Sequence, residues 1–243
     1  MSLRALIFDV DGTLADSEEA HRQAFNAAFV EHALRWDWSR HEYAQLLKVA
    51  GGKERIAHYI DLLEAAPAKK FRLRQLVPAL HRVKTALYAQ RVAAGAVPLR
   101  PGVERLLRQA QAAGLKLAIA STTTAGNVGA LLARVFGSAP VIFDVIATGD
   151  HAERKKPAPD IYLLALARLG LAPEQCIAFE DSANGLAAAK AAGLYTVVTP
   201  THWTAAEDFG SADLRLHSLS DLNDLAALTA RHAGALDRQV SAA

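Results

Sequence analysis

Short, continuously apolar runs separated by segments of helical spacing constrain this chain more than any other feature. The runs are Leu3 to Phe8, Leu115 to Ala120, Val145 to Ala147, Ile177 to Phe179 and Tyr195 to Val198. None alternates apolar with polar, so each suits a strand buried on both faces. The intervening segments carry helix signals. Pro101-Gly102 introduces Val103, Leu106, Leu107 and Ala110, a stripe at i, i+3, i+4 and i+7 that Gly114 closes. Pro159 and Asp160 open a second helix carrying Ile161, Leu164, Ala165 and Leu169 before Gly170. Asp181 or Ser182 caps a third, Asn184 to Ala192, which ends at Gly193. This alternation predicts an α/β fold, a Rossmann-like doubly wound parallel sheet covered by helices.

One stretch breaks the alternation. From Ser17 to Val97 there is no strand run, only helical spacing at His21 to Leu34, Arg40 to Val49, Lys53 to Leu63 and Phe71 to Val92. The expected organisation is therefore a core of residues 1–16 and 98–243, with a helical cap of residues 17–97 inserted after the first strand. The segment after Leu225 is expected to form a terminal helix. With 51% hydrophobic residues in 243, such a core can be filled and wholesale disorder is excluded.

The charge balance narrows the partners. Net charge is +2, from 27 basic and 25 acidic residues, which is no footprint for a nucleic-acid surface. No apolar stretch approaches the roughly 20 residues that span a bilayer, and the first apolar run is too short and too soon followed by acid for a signal peptide. A cytoplasmic monomer is expected, with no nucleic acid and no membrane as partner. The single cysteine, Cys176, sits in the apolar run CIAF and reads as a small buried hydrophobe.

Polar residues stand at the carboxyl end of each run: Asp9-Val10-Asp11, Ser121-Thr122-Thr123, Thr148-Gly149-Asp150 and Glu180-Asp181-Ser182. Ligands of open parallel sheets bind beyond these ends. Each cluster alone is an ordinary turn or helix cap; their placement at successive strand ends is the signal. In extended backbone, Asp9 and Asp11 point to one side while Val10 points to the other. With Asp181 they make a hard oxygen cluster suited to Mg²⁺. A phosphoryl group beside three acids needs an offsetting cation, which Lys156 supplies, and donors, which Ser121 and the Gly12-Thr13 turn supply. Phosphoryl transfer uses all of these parts.

DVDGT, Ser121, Lys156-Pro157 and Glu180-Asp181-Ser182 resemble the four motifs of the haloacid-dehalogenase superfamily, in order. The resemblance extends over essentially the whole chain, the helical insert included. It implies that Asp9 is a nucleophile forming an aspartyl-phosphate and that Asp11 is the general acid and base. It also implies that Asp9, the Asp11 backbone carbonyl and Asp181 hold Mg²⁺, with Glu180 supporting them from behind. Ser121 and Lys156 would bind the transferring phosphate. Lys155 is the weaker candidate, since the family's lysine directly precedes the proline. Thr122 or Thr123 offers a further phosphate contact. The second aspartate, Asp11, argues against halide displacement.

The insert carries its own signals. In AGGKERI, Gly51-Gly52 permits close backbone approach, and Lys53 and Arg55 are placed to grip an anion. Leu47 and the glutamate after Lys53 exclude a nucleotide P-loop, and Gln45 excludes a zinc motif at His41-Glu42. Trp36, Trp38 and Tyr43 read as the core of the insert. DVDGTLADSEEAH, GGKERI, the HRVKT segment and KKPAPDIY are together similar to the CbbY family, phosphatases associated with carbon fixation. That resemblance implies a sugar bisphosphate substrate, xylulose 1,5-bisphosphate. It makes Gly52, Lys53 and Arg55 substrate-binding residues, and His21 and Lys84 match positions that couple cap closure to sugar binding in mutase-like relatives. A β-phosphoglucomutase-like phosphomutase and a phosphoglycolate phosphatase remain as enzyme alternatives, and a silent sugar-phosphate sensor as a non-enzyme one.

Overall fold

A computed structural model describes residues 2–137 and 143–241. Six strands, β1 (Ala5–Phe8), β2 (Lys116–Ala120), β3 (Val145–Ala147), β4 (Cys176–Glu180), β5 (Tyr195–Val198) and β6 (Leu214–Arg215), form one sheet in the order β3-β2-β1-β4-β5-β6. All neighbours pair in parallel. The chain builds outward from β1 through β2 to β3, then crosses back to start again at β4. The order thus reverses between β1 and β4, and a crevice opens beyond the carboxyl ends of these two strands.

Register fixes what meets there. Phe8 lies opposite both Ile119 and Phe179, and the Phe8 and Phe179 rings stack with centroids 4.5 Å apart. The residue after Phe8 therefore emerges level with the last residue of β4. The sheet is held by helices α5 (Val103–Ala112), α7 (Asp160–Leu169), α8 (Ala183–Ala191) and α9 (Leu225–Ser241). Ile161, Tyr162, Ala165 and Leu166 of α7 and Ala188 and Ala189 of α8 pack on Ala5, Ile7, Ala118 and Ala178. Small strand residues let these helices approach closely. Cys176 is part of this cluster, and burial pushes its thiol up to about 12, so it behaves as an apolar group.

The chain divides into two compact units: Met1–Asp16, Leu99–Thr122 and Ser138–Ala243 in one, and Ser17–Pro98 with Thr123–Gly137 in the other. The second unit comprises α1 (Glu18–Glu31), α2 (Arg40–Leu46), α3 (Gly52–Leu62), α4 (Pro67–Ala93) and α6 (Ala125–Phe136). Helix α6 groups here because it packs on α4. Phe25, Phe29, Trp36, Trp38, Tyr43 and Tyr59 form a contiguous aromatic cluster, with Phe25 and Trp38 centroids 4.8 Å apart and Trp36 and Tyr59 5.3 Å apart. Ser39 starts α2 through a reciprocal capping box with Glu42.

Helix α4 starts earlier than apolar periodicity indicates. Pro67 occupies its first turn, where a missing N–H leaves no bond unmade. Helix α6 and strand β6 carry weak sequence signals. Gly126 and Gly129 dilute the helical spacing of α6, which Thr124 nevertheless caps by accepting from the Asn127 N–H at 3.3 Å. Strand β6 has only two residues, recruited by pairing with Val197 and Val198. No helix among the described residues is long and apolar enough to cross a membrane.

Candidate active site

The strand-end residues are held by the sheet's own hydrogen bonds. Asp9 N donates to Phe179 O at 3.0 Å, Ser121 N to Ala147 O at 3.1 Å, and Thr199 N to Glu180 O at 2.8 Å. The ladder thus continues one residue past each strand and aims Asp9, Ser121 and Glu180 into the crevice. All three are buried, as are Lys156 and Asp181.

At the centre stands one ammonium between two carboxylates. Lys156 Nζ donates to Asp9 Oδ1 at 2.8 Å and to Glu180 Oε1 at 2.6 Å. The Tyr162 hydroxyl donates to the same Glu180 oxygen, and its ring lies 5.0 Å from the ammonium. Burial works against the Lys156 charge, yet Asp9 and Glu180 together hold its pKa above the usual lysine range. Burial pushes Asp9 up to about 7, against the pull of Lys156, and Glu180 and Asp11 push the same way. One cation shared by two buried carboxylates leaves net negative charge in a low-dielectric site, which explains both directions.

That surplus defines a place for a further cation. Oxygens of Asp9, Glu180 and Asp181 lie within 4.8 Å of one another. Glu180 Oε2 is buried with no hydrogen-bond partner among the described residues. Clustered carboxylate oxygens with spare acceptor capacity fit Mg²⁺, which favours hard oxygen ligands. The residues present fit the ion.

Asp11 sits in a tight turn in which the Val10 carbonyl accepts from the N–H groups of Thr13, Leu14 and Ala15. Gly12 has φ +78°, and a Cβ there would run into the Asp181 carboxylate. Any other residue would be strained and would displace Asp181. Asp11 itself is half-buried, as is Thr122. Lys155 donates to the Gly149 carbonyl, so of the two adjacent lysines only Lys156 engages the acids.

The candidates of the helical unit divide differently. His21 and Lys84 are both buried, with Nζ 2.6 Å from His21 Nδ1. The His21 ring stacks on Tyr88 at 3.8 Å, and the Lys84 ammonium lies 4.6 Å from the centre of the Phe25 ring. Gly52 begins α3 and has no room for a Cβ beside His81. Lys53 is exposed. Arg55, expected to grip an anion, is buried: Nε donates to Leu46 O at 3.2 Å and Nη1 to Tyr43 OH at 3.0 Å. Tyr43 in turn donates to Glu18 at 2.7 Å. Arg55 thus ties α2 and α3 to α1.

Two residues escaped the sequence reading. Tyr162 entered only as the last residue of the KKPAPDIY segment, with no role assigned, and its hydroxyl on Glu180 depends on the packing of α7 against β2 and β3. Arg100, beside the second junction of the insert, had no signal at all; its side chain reaches the carbonyls of Gly12, Thr199 and Pro200.

A parallel sheet with a buried aspartate just past its first strand, a lysine on that carboxylate and acids at the end of the fourth strand is the arrangement the sequence motifs led us to expect. The model of the haloacid dehalogenase-like hydrolases matches residues 3–193, and the chain belongs to that family as a phosphatase. Among its relatives, Protein CbbY of Rhodobacter capsulatus is 52% identical over 90% of this chain and 95% of its own. Protein CbbY of Cupriavidus necator is 49% identical over 96% of this chain and 98% of its own. The crystal structure of CbbY from Rhodobacter sphaeroides in complex with phosphate superposes with a TM-score of 0.85 at 46% identity, covering 92% of this chain and 98% of that one. A mutant of that protein has been solved in complex with xylulose-(1,5)bisphosphate, at the same TM-score, identity and coverage. The resemblance to the CbbY family drawn from the motifs is borne out. A β-phosphoglucomutase from Clostridium difficile, 21% identical with a TM-score of 0.75, shares the fold.

Proposed function

We propose that this chain is a Mg²⁺-dependent phosphatase that hydrolyses xylulose 1,5-bisphosphate through an aspartyl-phosphate, acting as a cytoplasmic monomer. The observation that carries the chemistry is the Lys156 ammonium held between Asp9 and Glu180 beside Asp181. The substrate is supported by the CbbY relatives and by the bisphosphate-bound structure of one of them.

Asp9 Oδ attacks phosphorus. The ester P–O bond breaks, and its electron pair leaves on the sugar oxygen, which takes a proton from Asp11. The Asp11 carboxylate then removes a proton from water, whose oxygen attacks phosphorus and releases inorganic phosphate and free Asp9. Lys156, Ser121 and Thr122 bind the phosphoryl oxygens, and Tyr162 keeps Glu180 oriented. Asp9, the Asp11 carbonyl and Asp181 would hold Mg²⁺, with Glu180 behind them. The bound ion supplies positive charge that keeps the buried Asp9 ionised and draws charge from the phosphoryl oxygens. In the cap, residues 17–97, Gly52, Lys53, Arg55, His21 and Lys84 serve the sugar and its distal phosphate.

The buried His21–Lys84 contact favours one second reading, a phosphomutase, in which the phosphoryl group returns to the sugar. Incubation with xylulose 1,5-bisphosphate, and separately with glucose 1-phosphate plus a bisphosphate activator, decides. Inorganic phosphate from the first and none of the isomer from the second is expected. Isomer formation would replace the phosphatase reading, and silence on a broad panel of phosphorylated sugars would leave a binding protein.

A further inference from the structure

Gly12 is held from two sides. On one, the Asp181 carboxylate occupies the space a Cβ would need. On the other, Arg100 Nη1 donates to the Gly12 carbonyl. The same nitrogen donates to Thr199 O at 2.5 Å and Thr199 Oγ1 at 3.0 Å, and Nη2 to Pro200 O at 3.2 Å. The Arg100 main-chain N–H donates to Leu14 O at 2.9 Å, next to a bridge between Ala15 and Leu99. One residue therefore grips the Asp11 turn twice and ties it to the end of β5.

The guanidinium is spent almost wholly on carbonyls. Burial draws its pKa down, while the charges of Asp181 and Asp16 push it back up. A half-buried cation that serves backbone oxygens is an expensive way to join two loops. Its geometric result is specific: Arg100 holds the Gly12–Thr13 peptide through the Gly12 carbonyl, while the Gly12 N–H, donating to Ala15 O at 2.9 Å, holds the peptide that leaves Asp11. With Gly12 fixed at both of its peptides, the backbone that carries Asp11 is fixed in turn.

We infer that Arg100 is a positioning residue, which clamps the Gly12 carbonyl so that Asp11 is aimed at the leaving oxygen of the substrate. This rests on the reading of Asp11 as the general acid. A planar fork with several donors suits the task, because it reaches Gly12 O and Pro200 O at once, whereas a lysine presents a single nitrogen.

Leaving-group dependence tests the inference. A sugar alkoxide must be protonated as it departs, whereas p-nitrophenolate leaves without a proton. The quantity to compare is kcat/KM, which reports the step that forms the phosphoenzyme. Asp11→Asn is expected to lose about 10²–10⁴-fold on the sugar bisphosphate and far less on p-nitrophenyl phosphate. Arg100→Ala is expected to show the same asymmetry in smaller measure. Its loss on the bisphosphate should be about ten- to a hundredfold, as for a removed charge-assisted hydrogen bond. Arg100→Lys should fall between it and the wild type. Equal losses on both esters, or none, for Arg100→Ala while Asp11→Asn discriminates would overturn the positioning role and leave Asp11 intact. Equal losses for Asp11→Asn would remove the acid–base assignment and this inference with it. Should Arg100→Ala fail to fold, Arg100→Lys carries the test: a wild-type ratio of the two esters overturns the inference.

Discussion

Each unit buries a lysine among aromatic rings, and the two lysines are held in opposite ways. Lys156, in the sheet unit, is fixed by two carboxylates and lies 5.0 Å from the Tyr162 ring. Lys84, in the helical unit, rests on a histidine nitrogen and lies 4.6 and 5.3 Å from the rings of Phe25 and Tyr88. The difference teaches where chemistry and adaptability are placed. Strand ends set by a hydrogen-bonded register concentrate charge at a spacing that cannot drift. In the helical unit, the Phe25 and Tyr88 rings offer the negative face of their quadrupoles to the Lys84 ammonium, with geometry that depends on side-chain packing.

The strongest way to break this comparison is to remove the nucleophile. Asp9→Asn should abolish turnover while the fold persists, since an amide cannot form the aspartyl-phosphate. Ordinary activity in that variant, with an unchanged melting curve, would end the mechanism. Second in size is the stability of the two lysines. Lys156→Met strands two buried carboxylates and should cost about 3–5 kcal/mol of unfolding free energy without metal. Lys84→Met removes the buried contact with His21 Nδ1, so about 1–3 kcal/mol is expected. Denaturant titration of both variants checks the ranking, and a reversed order would dissolve the contrast.

A smaller effect links metal and proton. Burial raises Asp9 from the ordinary 3.8 to about 7, so between these values the metal-free folded protein holds a proton that the unfolded chain has released. Its contribution to stability is full at low pH and is lost as pH rises through 7. A cation must displace that proton, so the rise in Tm on adding Mg²⁺ should be greater at pH 8 than at pH 6. An equal rise at both would dissociate Asp9 from the metal. Activity should vanish in excess chelator and return with Mg²⁺, while Ca²⁺, with its longer bonds and higher coordination number, should inhibit.

The smallest expected change separates two neighbours in the helical unit. Arg55→Ala removes bonds to Leu46 and Tyr43 and should lower stability as well as substrate affinity. Lys53→Ala touches an exposed side chain and should leave Tm unchanged, raising KM for a sugar bisphosphate by about tenfold at most. Thermal melts beside steady-state kinetics distinguish them, and a loss of Tm in Lys53→Ala would mean that its role is structural.

Sequence alone determined the α/β class, five of the strands and which polar residues stand at their carboxyl ends. Continuous apolar runs, helix stop signals and the period of an extended chain are local properties, so Asp9, Asp11, Ser121, Lys156 and Asp181 could be placed at one edge before any coordinates. Tertiary structure decided what local patterns do not encode. A two-residue β6 exists only because β5 offers it a ladder, and α6, diluted by glycine, is stabilised by packing on α4. Arg55, expected from its sequence position to grip an anion, has its Nε and Nη1 engaged by Leu46 and Tyr43 of another helix. Tyr162 and Arg100 acquired functional settings from partners 18 and 88 positions away, Glu180 and Gly12. Hydrogen bonds between distant residues depend on where helices land on a sheet, and that placement is set by the packing of the whole core rather than by any segment of the chain.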